Sequence, residues 1–133
     1  MKPISPDHPE VPHLLNLAIG FPTDEKIKAV VDSYRQDNHY FFGFRSGGQI
    51  SGLMGIELQE NRVIIEHIAV LESHRSMGIG RAMIQGLRSS YSAYNVHAET
   101  DDDAVRFYRR CDFLCEEIQG KYGRRYRCIL ERE

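Results

Sequence analysis

The sequence predicts an α/β fold: a mixed, mostly antiparallel sheet that holds one central parallel β-α-β unit, with helices flanking it. Three observations carry this. Helical apolar spacing and strand-like apolar runs alternate along the chain, the most apolar strand candidate ends in a glycine-containing loop, and that loop leads directly into a helix. With 133 residues there is room for one hydrophobic core, so a single domain over 1–133 is expected.

Each element follows from a local signal. Pro3, Pro6, Pro9 and Pro12 break up the start, which reads as an extended arm. Leu14, Leu15, Leu17 and Ala18 suggest a short helix stopped by Gly20 and Pro22. Thr23 followed by Asp24 and Glu25 has the form of a helix cap with an acidic first turn. Ile27, Val30, Val31 and Tyr34 then keep the spacing of one buried face. From Tyr40 the period changes. Residues 40–45 and 49–59 read as antiparallel strands joined at Ser46-Gly47-Gly48. After a turn at Glu60-Asn61, Val63 to Leu71 is apolar almost throughout, the pattern of a strand covered on both faces. Ile79, Ala82, Met83 and Leu87 mark a helix over 78–90, Asn95 to Thr100 a short strand, and Ala104, Phe107, Tyr108 and Cys111 another helix. Residues 113–118 and 125–130 close the chain as a second hairpin. A right-handed crossover through helix 78–90 makes strands 63–71 and 95–100 parallel.

Composition narrows the function classes. A net charge of -2 gives no basic footprint for nucleic acid. Arg124, Arg125 and Arg127 read as a solvated strand edge. The start lacks the apolar stretch of a signal peptide, and no run approaches the length of a spanning helix. Cys111, Cys115 and Cys128 are an odd set without CxxC spacing, which suggests reduced thiols and neither a disulfide framework nor zinc. A cytoplasmic protein with no membrane or nucleic-acid partner is expected. The six histidines have no metal-ligand spacing, so no metal is expected either.

The loop Glu72-Ser73-His74-Arg75-Ser76-Met77-Gly78-Ile79-Gly80-Arg81 has the makings of a phosphate site. Glycines let backbone approach a ligand closely, the first helical N–H groups lack partners, and Arg75 and Arg81 add charge. It has no Gly-Lys-Ser/Thr of a P-loop, and Met83 stands where a dinucleotide fingerprint needs a third glycine.

Ile68-Ala69-Val70 followed by Arg75-x-x-Gly78-x-Gly80 resembles the signature of the GNAT superfamily of N-acetyltransferases. Ala104-Val105-Arg106-Phe107-Tyr108-Arg109-Arg110-Cys111-Asp112-Phe113 resembles a second segment of that family. The resemblance implies acetyl-CoA as cosubstrate and a primary amine as acceptor, joined by direct attack in a ternary complex. It also implies that the parallel unit binds the acetyl-CoA. Backbone at Ile68, Ala69 and Val70 would line the pantetheine. Arg75, Ser76, Met77, Gly78, Ile79, Gly80 and Arg81 would carry the pyrophosphate. Two positions depart from the family pattern. Asp112 replaces a glycine where a left-handed backbone is common, which Asp tolerates. Asp101 replaces an Asn near the pantetheine arm. A homodimer is a family habit that no residue pattern here indicates.

The chemistry needs a base, a polarised carbonyl and a proton for the leaving thiolate. An alkyl amine of pKa about 10.4 is roughly one part in a thousand neutral near pH 7, which adds about 4 kcal/mol to the barrier. Glu66 and His67 interrupt an apolar strand and are the leading base candidates. Strict alternation would place Glu66 with Ile64 and Ile68, and His67 with Ile65 and Ala69, so one of the two would face the substrate. Glu57 and Glu99 are reserves. The resemblance makes Tyr108 the candidate general acid, and also a residue at the cofactor. A non-catalytic acetyl-CoA-binding module on the same scaffold is the alternative function.

Overall fold

The computed structural model describes residues 1–132. Its elements in chain order are β1 (Lys2–Ile4), α1 (Val11–Ala18), α2 (Asp24–Ser33), β2 (His39–Ser46), β3 (Gln49–Leu58), β4 (Arg62–Val70), α3 (Ile79–Ser90), β5 (Asn95–Thr100), α4 (Val105–Arg110), β6 (Leu114–Gly120) and β7 (Gly123–Leu130). A 3-10 turn at Glu72–His74 lies between β4 and α3. The strands form a seven-stranded sheet in the order β1-β2-β3-β4-β5-β7-β6. Among the described residues only β4 and β5 pair in parallel; the other neighbours are antiparallel. This is the mixed sheet with one crossover unit that the sequence patterns imply.

Two findings differ from those patterns. The proline-rich start is not wholly an arm, because Lys2–Ile4 adds an edge strand to β2, with Lys2 opposite Gly43 and Ile4 opposite Phe41. Pro3 lacks an N–H, which an edge strand tolerates because one of its sides makes no ladder. The thiols also differ. β6 and β7 set Cys115 directly opposite Cys128 with Cα atoms 4.1 Å apart, and the two are joined as a disulfide, while Cys111 is free and buried. Cysteine counting carries no information on strand register, and register makes this pair.

The sheet carries one apolar layer on each face. Met54, Ile56, Val63, Ile65, Met83, Leu87, Val96 and Tyr108 pack beneath α3 and α4. Val11, Leu14, Leu15, Tyr34, Phe41 and Leu53 pack beneath α1 and α2. A fully buried side chain such as Leu14 or Leu87 contributes roughly 1.5–3 kcal/mol relative to exposure. The Thr23 hydroxyl accepts from the Lys26 N–H and starts α2 as the sequence suggests, a cap worth about 1 kcal/mol. Among the described residues no helix is long and apolar enough to cross a membrane.

Candidate active site

Strand β4 is where the two layers part. It pairs with β5 from Arg62↔Asn95 to Ile65↔Ala98 and no further. Beyond that point β4 stays with β3 as far as Val70↔Gly52, while β5 follows β7 to Thr100↔Tyr126. The facing edges of Glu66–Val70 and Glu99–Thr100 therefore form an open fork, and backbone groups on those edges need partners other than a neighbouring strand. The cause is local. Gly55 is opposite His67 but Ile56 is opposite Ile65, so Glu66 is an extra residue that bends β4.

That bulge corrects the alternation expected from sequence. Ile65 and Ile68 belong to the layer under α3 and α4. His67 reaches Tyr34 of the opposite layer, and Glu66 lies against Glu57, which is opposite Ile64. Both base candidates thus occupy one face. His67 does not share a face with Ile65, nor Glu66 with Ile68.

At the far end of the fork, the chain turns through Glu72–His74 into α3. Ser76 and Gly78 have left-handed backbones, with φ of 65° and 80°. The first bond of α3 runs from the Ala82 N–H to the Gly78 carbonyl at 2.9 Å, and among the described residues no side chain caps the helix. The amides just before Ala82 are left for a ligand at the positive end of the helix dipole. Gly80 has a different reason for lacking a side chain: a Cβ there would lie 2.7 Å from Cε1 of Phe107. It lets α3 close on α4.

Charge around this loop is divided. Arg75 is exposed and its Nε lies 3.5 Å from the Val70 carbonyl, a weak contact that leaves the guanidinium available. Arg81 turns the other way. It donates to the Arg110 carbonyl and lies 3.7 Å from the Asp112 carboxylate, so it ties α3 to the end of α4. Asp112 has the left-handed backbone, φ 70°, that its position implies. Asp101 accepts from the N–H groups of Asp103 and Ala104, so its carboxylate holds the turn into α4.

On the layer under α1 and α2, Tyr34, His39, Glu57, Glu66 and His67 converge. The Tyr34 hydroxyl is 2.7 Å from Nδ1 of His67, and its ring meets the His39 ring edge-on at 5.9 Å. His39 Nε2 is 4.0 Å from the Glu57 carboxylate. Burial, and then the neighbouring Glu57 carboxyl, push the Glu66 carboxyl above the usual carboxylate range, with His39 opposing. Burial holds His67 below the usual histidine range. Tyr108 is buried among Ile65, Ala98, Phe107 and Phe113, and burial pushes its hydroxyl well up, so it keeps its proton. Glu99 is elsewhere, paired with Arg125 at 3.4 Å. Tyr34 is the participant that sequence periodicity registered only as a buried helix position. The one signal for it was Gly55, since a lone glycine inside a strand often marks a bulge or a close approach.

The fork and the uncapped helix at its end leave backbone groups open to a ligand. The chain belongs to the acetyltransferase (GNAT) family, whose model matches residues 11–113. It is 27% identical over 103 residues to an uncharacterized N-acetyltransferase in the lysA 3' region of Bacillus methanolicus, covering 74% of this chain and 84% of that one. Two solved structures share the fold. A Bacillus subtilis acetyltransferase in complex with CoA is 20% identical with a TM-score of 0.74, covering 98% of this chain and 96% of the other. A GNAT family acetyltransferase from Elizabethkingia anophelis with acetyl-CoA bound is 18% identical with a TM-score of 0.75, covering 97% and 95%.

Proposed function

We propose that the protein transfers the acetyl group of acetyl-CoA to a primary amine by direct attack in a ternary complex. The observation that carries this is the β4–β5 fork ending in an uncapped helix N-terminus. A strand edge with free backbone groups suits the amide-bearing pantetheine arm, and unpartnered helical amides suit a pyrophosphate. The residues fit the group: Ile68, Ala69 and Val70 would serve the arm, and the backbone from Ser76 to Arg81, with the Arg75 side chain, would take the phosphates. Arg81 contributes through its amide, since its guanidinium is engaged by α4. Asp101 contributes by fixing the turn beside the fork rather than by touching the arm.

When bound, acetyl-CoA supplies an activated thioester carbonyl. The protein has to do three things around it. Glu66 takes the proton from the acceptor ammonium; its raised pKa brings it closer to the amine than an ordinary carboxylate would be. A backbone N–H of the 68–70 segment stabilises the developing oxyanion, a contribution of about 3 kcal/mol where such donors have been removed. Tyr108, kept protonated by burial, gives its proton to the departing thiolate and regains one from the second proton that the acetylated nitrogen loses as the amide forms. Glu57 beside Glu66 makes the acceptor side acidic, in keeping with a cationic amine.

The test is a calorimetric titration with acetyl-CoA, CoA and ATP, followed by a screen of small amines, amino acids, peptide N-termini and protein lysines under acetyl-CoA. Binding of acetyl-CoA and CoA but not ATP, with turnover of at least one amine, is the expected result. Binding without turnover across the screen would favour the non-catalytic module, and no binding would overturn both. In an active protein, Tyr108→Phe lowers kcat about tenfold and leaves acetyl-CoA affinity unchanged; equal kcat would remove Tyr108 as the acid.

A further inference from the structure

His67 and Glu66 sit side by side, and their geometry separates their roles. Tyr34 is 4% exposed, and among the described residues its hydroxyl has one hydrogen-bond partner, Nδ1 of His67 at 2.7 Å. Two arrangements of that bond exist. Either the tyrosine donates to a bare Nδ1, or a protonated Nδ1 donates to the tyrosine oxygen. The second would leave the phenolic proton buried with no acceptor, which is costly. The first satisfies both groups and forces the imidazole proton onto Nε2.

The surroundings are built for this contact. Gly55 is the strand partner of His67, and a Cβ on Gly55 would fall 2.0 Å from the Tyr34 hydroxyl oxygen. Any other residue there would drive the hydroxyl away. The Tyr34 ring is fixed by stacking on Phe41, with centroids 3.8 Å apart, and the helix carrying it is capped by Thr23. The bulge at Glu66 is what turns His67 toward Tyr34 instead of toward Ile65.

We propose that Tyr34 is a positioning residue that locks His67 as a neutral, Nε2-protonated imidazole, so that His67 serves the acceptor site as a hydrogen-bond donor and leaves proton abstraction to Glu66. This deepens the acetyltransferase function above and rests on it only for the role given to Glu66. A ring whose one lone pair already accepts from Tyr34 has none to take a proton from an amine. Protonation would also need the Tyr34 hydroxyl to turn from donor to acceptor. Burial, too, disfavours a charged His67 and holds it below the usual histidine range. Among the described residues, the ionisable groups brought around His67 are Tyr34 at the C-terminal cap of α2, His39 from β2, Glu57 from β3 and Glu66 from β4; α1 adds Leu14 and Leu15 to its buried side, and Glu10 at its start accepts from the Ile50 N–H.

The deciding measurement is nitrogen-15 NMR of the histidine side chains from pH 5 to 8, with the His67 signals assigned by their absence in His67→Gln. At pH 7 the expected pattern is a pyrrole-type Nε2 and a pyridine-type Nδ1. A protonated Nδ1, or a doubly protonated ring at pH 7, would overturn the proposal. Tyr34→Phe keeps the stacked ring and removes only the hydroxyl; a mixture of tautomers and a higher titration midpoint are expected. An unchanged tautomer and midpoint in that variant would remove Tyr34 from the role. A kinetic arm separates this from failure of the acetyltransferase function itself, since the NMR result does not depend on turnover. In an active protein, His67→Gln retains an N–H donor, so kcat/KM stays within about tenfold and its acid limb stays in place. Loss of a base would cost about a hundredfold or more. A loss of that size, together with disappearance of the limb, would make His67 the base.

Discussion

The two faces of β4 are ordered in different ways. On the face under α3 and α4, nearly everything that matters comes from one continuous stretch: strand, 3-10 turn, glycine loop and helix follow each other from Arg62 to Ser90. On the face under α1 and α2, the converging side chains come from separate elements, at positions 34, 39, 57, 66 and 67. In the proposed function the first face would meet its ligand with backbone, so its signature is local and compact. The second works with side chains brought together by register. The proposed cosubstrate site can therefore be read from a short motif, while the proposed acceptor site depends on a bulge and a helix docked across it.

The largest expected effect breaks the acceptor face without unfolding it. Glu66→Gln is expected to lower kcat/KM by about a hundredfold to ten-thousandfold and to abolish the loss of activity expected of the wild type on acidification. The sign of the stability change is opposite. The Glu66 pKa is raised in the folded state, so its favourable contribution is complete below the ordinary carboxylate value and is lost as pH rises through the raised one. At pH 7 the glutamine variant is expected to be at least as stable as the wild type in urea. A variant both inactive and destabilised would mean that Glu66 holds the bulge rather than the proton.

Next in size is a packing effect on the cofactor face. Gly80→Ala puts a Cβ 2.7 Å from the Phe107 ring, and a core that must yield to an extra methyl loses roughly 1–3 kcal/mol. Denaturant melts of this variant read it directly. Weakened acetyl-CoA binding in Gly80→Ala would then reflect a displaced α3, not a repelled phosphate. The cleaner probe of the loop is its arginines. Arg75→Ala is expected to weaken acetyl-CoA about tenfold by calorimetry, close to 1.4 kcal/mol. Arg81→Ala is expected to leave affinity within about twofold, because that guanidinium serves the Arg110 carbonyl and Asp112. Equal losses in both would mean that Arg81 abandons α4 when the ligand arrives.

The sequence made most of the first face legible. Helix and strand periods placed nearly every element, and the left-handed turn at Asp112 followed from the family resemblance, which has a glycine at that position. The direction of the Arg81 side chain was not legible, because its charge suggests phosphate while its guanidinium is held at the C-terminal turn of α4. On the second face, Glu66 and His67 stood out as polar residues in an apolar strand, but a strict period of two put them on opposite sides. One inserted residue in a ladder reverses every side chain after it. Nothing in a local window reveals that insertion. Tyr34 was seen only as apolar surface, since a buried hydroxyl and its partner come from positions 33 residues apart. Cys115 and Cys128 were missed for the same reason, as they meet only through the register of a hairpin.

The smallest expected effect concerns the edge where charge is densest and matters least. Arg124, Arg125 and Arg127 look like a basic patch in sequence, yet each faces an acid: Asp102 and Glu117, Glu99, and Glu116 respectively. The Arg127–Glu116 pair is 3.8 Å long, with side chains 55% and 71% exposed. A pair so open to water gains little Coulomb energy and is screened by salt. Arg127→Ala is expected to shift Tm by less than about 2 °C, with the difference shrinking further at high salt. Arg124→Ala should shift it more, because Arg124 grips both oxygens of Asp102, at 3.0 and 3.1 Å, and Asp102 also accepts from the Tyr126 hydroxyl at 2.8 Å. That network joins the β6–β7 hairpin to the loop that carries Asp101. If the two variants melted alike, the hairpin would be held by its ladder, its disulfide and its apolar underside, and charge on this edge would have no part in presenting the fork.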